Sequence, residues 1–165
     1  MVRIGLLGLA LLFSAPAFCL SVGDTAPQII GRDISNQLFA LSQMDTKPKV
    51  LNFFWVNCKP CEQEMPLLAK KELAHPEVSF AAIHAELNTY TDTNYDIKDI
   101  QSFAKSLKAH PKTMVLGSEQ LKRQYGIVGF PVSFLLTADN KIEKVLYGFN
   151  EKTVQQLENW LGKQK

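Results

Sequence analysis

Two cysteines three positions apart, Cys58 and Cys61, are the residues of this chain best suited to chemistry, and they lie in Trp55-Val56-Asn57-Cys58-Lys59-Pro60-Cys61-Glu62. A Cys-x-x-Cys pair can cycle between dithiol and disulfide, supply half of a zinc site, carry a haem or staple the chain. Zinc wants four ligands, and the chain has no second Cys pair and only His75, His84 and His110, scattered downstream. Haem attachment wants His directly after the second Cys, where Glu62 stands. A loop this short constrains little of the unfolded chain, so a purely structural staple gains little stability. Redox exchange remains, with Cys58 as nucleophile and Cys61 as resolving thiol. Once Cys58 holds a mixed disulfide, Cys61 lies one turn away and can attack it. No metal and no cofactor is expected.

The elements on either side of the pair decide which sulfur is activated. The apolar run Val50 to Val56 reads as a strand buried on both faces, and Glu62 to Leu73 as a helix. Pro60 suits a first helical turn, where the amide hydrogen that proline lacks would have no intrahelical partner. Cys58 therefore falls at the strand-to-helix junction, where unsatisfied amides and the positive end of the helix dipole favour the thiolate over the free thiol, whose pKa is about 8.5. Lys59 places a cation beside it. Glu64, three residues beyond Cys61, shares its helix face. It reads either as a carboxyl that exchanges a proton with Cys61 or as a solvated helix charge, and spacing alone favours the second. Met65-Pro66 interrupts the hydrogen-bond ladder and predicts a kink after the first turn.

The first nineteen residues read as a separate object. Arg3, the apolar run Ile4 to Phe13 and the small residues around Ala15 and Ala17 make a secretory leader pattern, too short to span a bilayer as a mature helix. Cleavage after Ala17 fits better than cleavage after Cys19, and acylation of Cys19 is disfavoured by Phe18 before it. An uncleaved membrane anchor is the other reading. Without this segment 17 basic residues face 16 acidic ones, a net charge of about +1. No basic block is interleaved with aromatics as nucleic-acid binding would require. In an oxidising compartment a chain whose remaining thiols are one close pair is better read as a redox catalyst than as a stapled scaffold.

The remainder, residues 20–165, reads as one α/β domain. Gln28 to Ile34 and Gln37 to Leu41 form a hairpin around Ser35-Asn36. Val78 to Ala85 is a second buried strand, and Ile97, Ile100, Phe103, Ala104 and Leu107 fall at helical spacing. This alternation implies right-handed crossovers and parallel pairing. Asn88 to Tyr95 is a polar loop, read as a connector in preference to a substrate-facing segment. Thr113 to Leu116 is a short strand and Glu119 to Tyr125 a short helix. Pro131 heads the apolar run Val132 to Leu136, at a strand's first residue or an edge, and a cis peptide there is compatible with the pattern. Asp139-Asn140 turns into Ile142 to Tyr147, and Thr153 to Leu161 is a covering helix. His84 reads as a core or rim histidine, not a base, and His75 and His110 each precede a proline in loops.

Taken in order, Gly23-Asp24, Ala26-Pro27, Val50-Leu51-Asn52-Phe53-Phe54-Trp55, Cys58-Lys59-Pro60-Cys61, Glu64-Met65-Pro66 and Tyr125-Gly126-Ile127 with Gly129 and Pro131 resemble the exported thiol:disulfide oxidoreductases of the TlpA/ResA type, which include the cytochrome c maturation reductants. The resemblance runs from about Gly23 to Leu161. It implies a thioredoxin-like fold, a central mixed β-sheet flanked by helices, with an N-terminal β-hairpin extension and a helical insertion. Pro131 becomes the cis-proline beside the disulfide, and Phe130, Lys59 and Pro60 join it in contacting substrate. Glu64 becomes the acidic residue near the active site, reversing the preference drawn from spacing, and Asn52 takes the place under Cys61 where thioredoxin has a buried Asp. Asn57 and Phe130 depart from the Trp and the smaller residue common at their positions, and both bear on substrate identity. The implied activity is reduction of protein disulfides in the periplasm by a monomer, fed by a membrane or periplasmic electron donor. The rivals are a disulfide oxidase or isomerase of the same fold, a peroxidase of the peroxiredoxin branch, and a copper-binding module using both thiols and His84.

Overall fold

A computed structural model describes residues 20–85 and 96–164. The leader segment, with Cys19, and the loop expected over Asn88 to Tyr95 lie outside the described residues.

Among the described residues seven strands, β1 (Ile30–Asp33), β2 (Leu38–Ala40), β3 (Lys49–Phe54), β4 (Ser79–His84), β5 (Met114–Leu116), β6 (Val132–Leu136) and β7 (Ile142–Tyr147), form one mixed sheet in the order β2-β1-β5-β4-β3-β6-β7. The strand expected to be buried on both faces is β3 (Lys49–Phe54), and all six of its residues are buried. It lies inside the sheet, paired in parallel with β4 (Ser79–His84) and antiparallel with β6 (Val132–Leu136). A crossover through α1 (Lys59–Ala74) joins β3 to β4, as parallel neighbours require. A second crossover carries α2 (Ile97–Ser106) to β5 (Met114–Leu116), again parallel to β4. The N-terminal hairpin, β1 (Ile30–Asp33) and β2 (Leu38–Ala40), docks on the free edge of β5. Gly31 permits that docking, since a Cβ there would stand 2.4 Å from the Leu116 carbonyl oxygen. The chain closes with α3 (Glu119–Gln124), β6, β7 (Ile142–Tyr147) and α4 (Glu151–Leu161). This is the thioredoxin-like arrangement with the hairpin extension and the helical insertion.

Period-two alternation along β3 sorts its side chains between two layers. Val50 packs with Leu68 of α1 and with Leu157, Trp160 and Leu161 of α4, and Phe54 with Cys61 and Met65 of α1 and Ile100 and Phe103 of α2. Leu51 and Phe53 point the other way, toward Leu121 of α3, Tyr125, and Ile29 and Leu41 from the N-terminal extension. Tyr125 fixes that second layer: its ring lies 4.7 Å from Phe53, and its hydroxyl donates to the Pro27 carbonyl oxygen at 2.6 Å.

Several boundaries differ from the sequence reading, and three of the differences have a local reason. The strand ends at Phe54, not Val56, because Cys58 N donates to Trp55 O and turns the chain. α1 starts at Lys59, three residues before the expected Glu62, because Cys58 itself is the N-cap. α4 starts at Glu151 because Asn150 and Thr153 form a reciprocal capping box. Pro66 does not divide α1, which continues through it. Its missing amide removes one ladder bond, while Met65, Leu68 and Ala69 around it are buried.

Candidate functional site

Cys58 ends the turn after β3 with an extended backbone and caps α1, and its Sγ accepts a hydrogen bond from the amide of Cys61 at 3.2 Å. The two sulfurs form a disulfide, with 5.2 Å between the Cα atoms. They are not equivalent. Cys58 keeps 8% of its surface exposed and Cys61 keeps none, so an incoming thiol or disulfide can reach only the first. Cys58 is also the cysteine at the helix N-terminus, which suits a nucleophile.

Glu64 lies on the face of α1 that it shares with Cys61 and is 7% exposed, so the solvated-charge alternative does not describe it. Its Oε2 accepts from Asn52 Nδ2 at 2.8 Å. Burial pushes its carboxyl up from 4.5 to about 7, and the Asn52 hydrogen bond opposes that rise without cancelling it. A carboxyl titrating near neutrality is suited to taking or giving one proton at physiological pH. Asn52 Nδ2 donates a second bond, to Ser133 Oγ at 2.9 Å. Sequence reading passed over Ser133. The available signal was a hydroxyl inside the apolar run Val132 to Leu136, on the strand that lies beside Asn52.

The peptide between Phe130 and Pro131 is cis. Pro131 immediately precedes β6, whose Val132 pairs with Phe53 of β3, and Phe130 packs against the cluster that contains both cysteines. Pro60 stands in the first turn of α1, exposed. Lys59 does not sit as a bare cation beside Cys58: its Nζ lies 2.6 Å from Glu62 Oε2 and its side chain is 77% exposed. Val128, which the sequence reading did not single out, is 86% exposed two residues before Phe130.

His84 lies in the core with its ring edge-on to Phe54 at 5.6 Å, and burial holds its pKa down at about 4. It is neutral at pH 7, consistent with a core histidine. Among the described residues no group of three or more His, Cys, Asp or Glu side chains is placed to hold a metal ion. No described helix is long and apolar enough to cross a membrane.

Known proteins share this arrangement. The sequence profile of the AhpC/TSA family matches residues 22–145. The thiol-disulfide oxidoreductase ResA of Bacillus thuringiensis subsp. konkukian is 31% identical over 147 residues, covering 87% of this chain and 79% of that protein. The sporulation thiol-disulfide oxidoreductase A of Bacillus subtilis is 29% identical over 113 residues, 68% of this chain and 66% of that one. Two solved structures have the same fold. The thioredoxin domain of a thiol-disulfide oxidoreductase from Bacteroides vulgatus superposes with a TM-score of 0.70 at 21% identity, over 86% of this chain and 99% of that one. StoA from Bacillus subtilis gives 0.63 at 24% identity, over 88% and 98%.

Proposed function

This chain belongs to the AhpC/TSA family, as a thioredoxin-fold protein-disulfide oxidoreductase, and within that membership we propose that it works as a reductase of disulfides in exported proteins. The observation that carries the exchange chemistry is the asymmetry of the pair: Cys58 keeps some exposed surface at a helix N-terminus, while Cys61 keeps none and has a buried carboxyl one turn on along the same helix; the direction rests on the resemblance to TlpA/ResA-type proteins, which include the cytochrome c maturation reductants.

The steps follow from that placement. In the reduced protein the Cys58 thiolate attacks one sulfur of a substrate disulfide. A mixed disulfide forms on Cys58, and the other substrate sulfur leaves as a thiolate that takes a proton from water. Cys61 then gives its thiol proton to the Glu64 carboxylate, and the resulting thiolate attacks Cys58 Sγ. The mixed disulfide breaks, the second substrate thiolate leaves, and Glu64 returns its proton to solvent. Two electrons have passed to the substrate, and the protein is left with the Cys58–Cys61 disulfide. Phe130 and Pro131, with Lys59 and Pro60 across the disulfide, form the rim against which a polypeptide substrate lies. A membrane or periplasmic dithiol donor restores the reduced state, and the chain acts as a monomer. The leader pattern of residues 1–19 supports action outside the cytoplasm.

Direction of electron flow is tested by equilibrating the Cys58/Cys61 couple against glutathione and by assaying insulin disulfide reduction. A reductase requires a potential well below that of strong oxidants. A value above roughly −150 mV would make the protein an oxidase or isomerase instead.

A further inference from the structure

Asn52, Glu64 and Ser133 come from three elements, β3, α1 and β6, and all are buried, at 1%, 7% and 3% exposure. Both protons of the Asn52 carboxamide are committed, one to Glu64 Oε2 at 2.8 Å and one to Ser133 Oγ at 2.9 Å. Its Oδ1 has no hydrogen-bond partner among the described residues. A buried carbonyl without a partner costs free energy, so the amide is held this way round by what its nitrogen does. Turning it by half a revolution would aim an oxygen lone pair at the Glu64 carboxylate. The observed orientation is therefore the one that serves ionised Glu64.

We propose that Ser133 is a positioning residue for the proton step: its hydroxyl takes the second Asn52 proton and thereby keeps the carboxamide nitrogen turned toward Glu64 when that carboxyl is ionised. The inference rests on Glu64 being the acceptor of the Cys61 proton. The two protonation states depend on the hydroxyl unequally. With Glu64 ionised, loss of the hydroxyl leaves a buried N–H unpaired. With Glu64 protonated, the Asn52 N–H meets a neutral acceptor, to which a hydrogen bond is about half as strong as to a carboxylate, so less depends on how the carboxamide is held. The loss therefore falls more heavily on the ionised state, and the acid becomes weaker.

No charged side chain competes for this role. Burial and the Asn52 hydrogen bond are what shift the Glu64 carboxyl, with Ser133 of β6 behind Asn52 and Cys61 one turn back on α1. His84 of β4 lies farther along the sheet and is neutral at pH 7, with Asp99 of α2 facing it. Lys49 lies three residues before Asn52 and so on the other face of β3, and Lys71 of α1 is paired with Glu158 of α4 at 2.6 Å.

The test compares Ser133→Thr with Ser133→Val, side chains of one shape that differ by the hydroxyl, with Ser133→Ala and Glu64→Gln alongside. The Glu64 carboxyl is titrated by carbon-13 NMR or infrared spectroscopy in the oxidised protein, where neither sulfur titrates. The pH profile of mixed-disulfide resolution by Cys61 is measured separately. Val and Ala are expected to raise the Glu64 midpoint by about half a unit to one unit, the size of one lost hydrogen bond. The acid limb of the resolution profile should move up by the same amount, while Thr restores both. If Val and Thr titrate together, Ser133 only packs the core and the proposal fails. If Glu64→Gln leaves the acid limb of the resolution profile in place, the assignment of Glu64 itself fails, whatever Ser133 does.

Discussion

The amide of Cys61 donates to the sulfur of Cys58 at 3.2 Å, so the residue proposed to resolve the mixed disulfide is placed to stabilise charge on its partner through its backbone as well. That bond exists because Cys58 caps α1, with Pro60 one of the first residues after it. In the reduced protein the same amide faces a thiolate, and a hydrogen bond to a charged acceptor is about twice as strong as one to a neutral acceptor.

The first prediction concerns thiol acidity. Cys58 should titrate below the free value of about 8.5, and Cys61, with no exposed surface and a buried carboxyl on its helix face, above it. Alkylation rates by iodoacetamide against pH, followed by mass spectrometry at each sulfur, give the order directly. A reversed order would remove Cys58 as nucleophile.

Trapping should obey the same asymmetry. Cys61→Ser is expected to accumulate mixed disulfides with protein substrates through Cys58, whereas Cys58→Ser accumulates few because its remaining sulfur is sealed. Equal capture by both variants, read on non-reducing gels, would contradict the assignment. The Cys61→Ser variant also separates this chemistry from peroxidase action, since it should not consume peroxide catalytically.

Lys59 is expected to matter less than its position suggests. Its ammonium is paired with Glu62 at the surface, and such pairs are worth little and are screened by salt. Lys59→Ala should move the Cys58 midpoint by less than about half a unit and stability by less than about 0.5 kcal/mol. A shift of a full unit or more in the alkylation profile would show that the cation acts directly on the sulfur.

Glu64 and His84 should give opposite slopes of stability against pH. Glu64 ionises at 4.5 in the unfolded chain and at about 7 in the fold, so the folded state holds the extra proton and stability falls as pH rises from 4.5 to 7. His84 protonates at 6.5 unfolded and at about 4 folded, so stability rises with pH from 4 to 6.5. Each amounts to about 3 kcal/mol over its window. Between 4.5 and 6.5 they largely cancel. In the oxidised protein, Glu64→Gln should expose the rising slope of His84, and His84→Phe the falling slope of Glu64, in urea denaturation series at successive pH values. Parallel curves for wild type and Glu64→Gln would show that the carboxyl is not held protonated by burial.

Much of this site was legible before the fold was known because its signals are local. The strand, the junction and the helix start are set by an apolar run, a proline and two cysteines within a dozen residues, and cap geometry follows from neighbours along the chain. The same locality explains why the boundaries near Val56 and Glu62 slipped by two or three residues, since a cysteine acting as N-cap carries no strong composition signal. Ser133 was invisible for the opposite reason: it lies 81 residues from Asn52, and only β3–β6 pairing brings the two together.

The sequence by itself determined that a thiol pair stands at a strand-to-helix junction, that a proline heads a late strand, and that the chain alternates strands and helices into one mixed sheet. Periodicity and turn chemistry act between neighbours and need no partner. Only the tertiary structure decided which sulfur is reachable, that Lys59 spends its charge on Glu62, and that Glu64 is a buried acid and not a solvated one. Burial and proton affinity are properties of what packs around a group, and that is settled when β3, α1 and β6 close over the same few atoms.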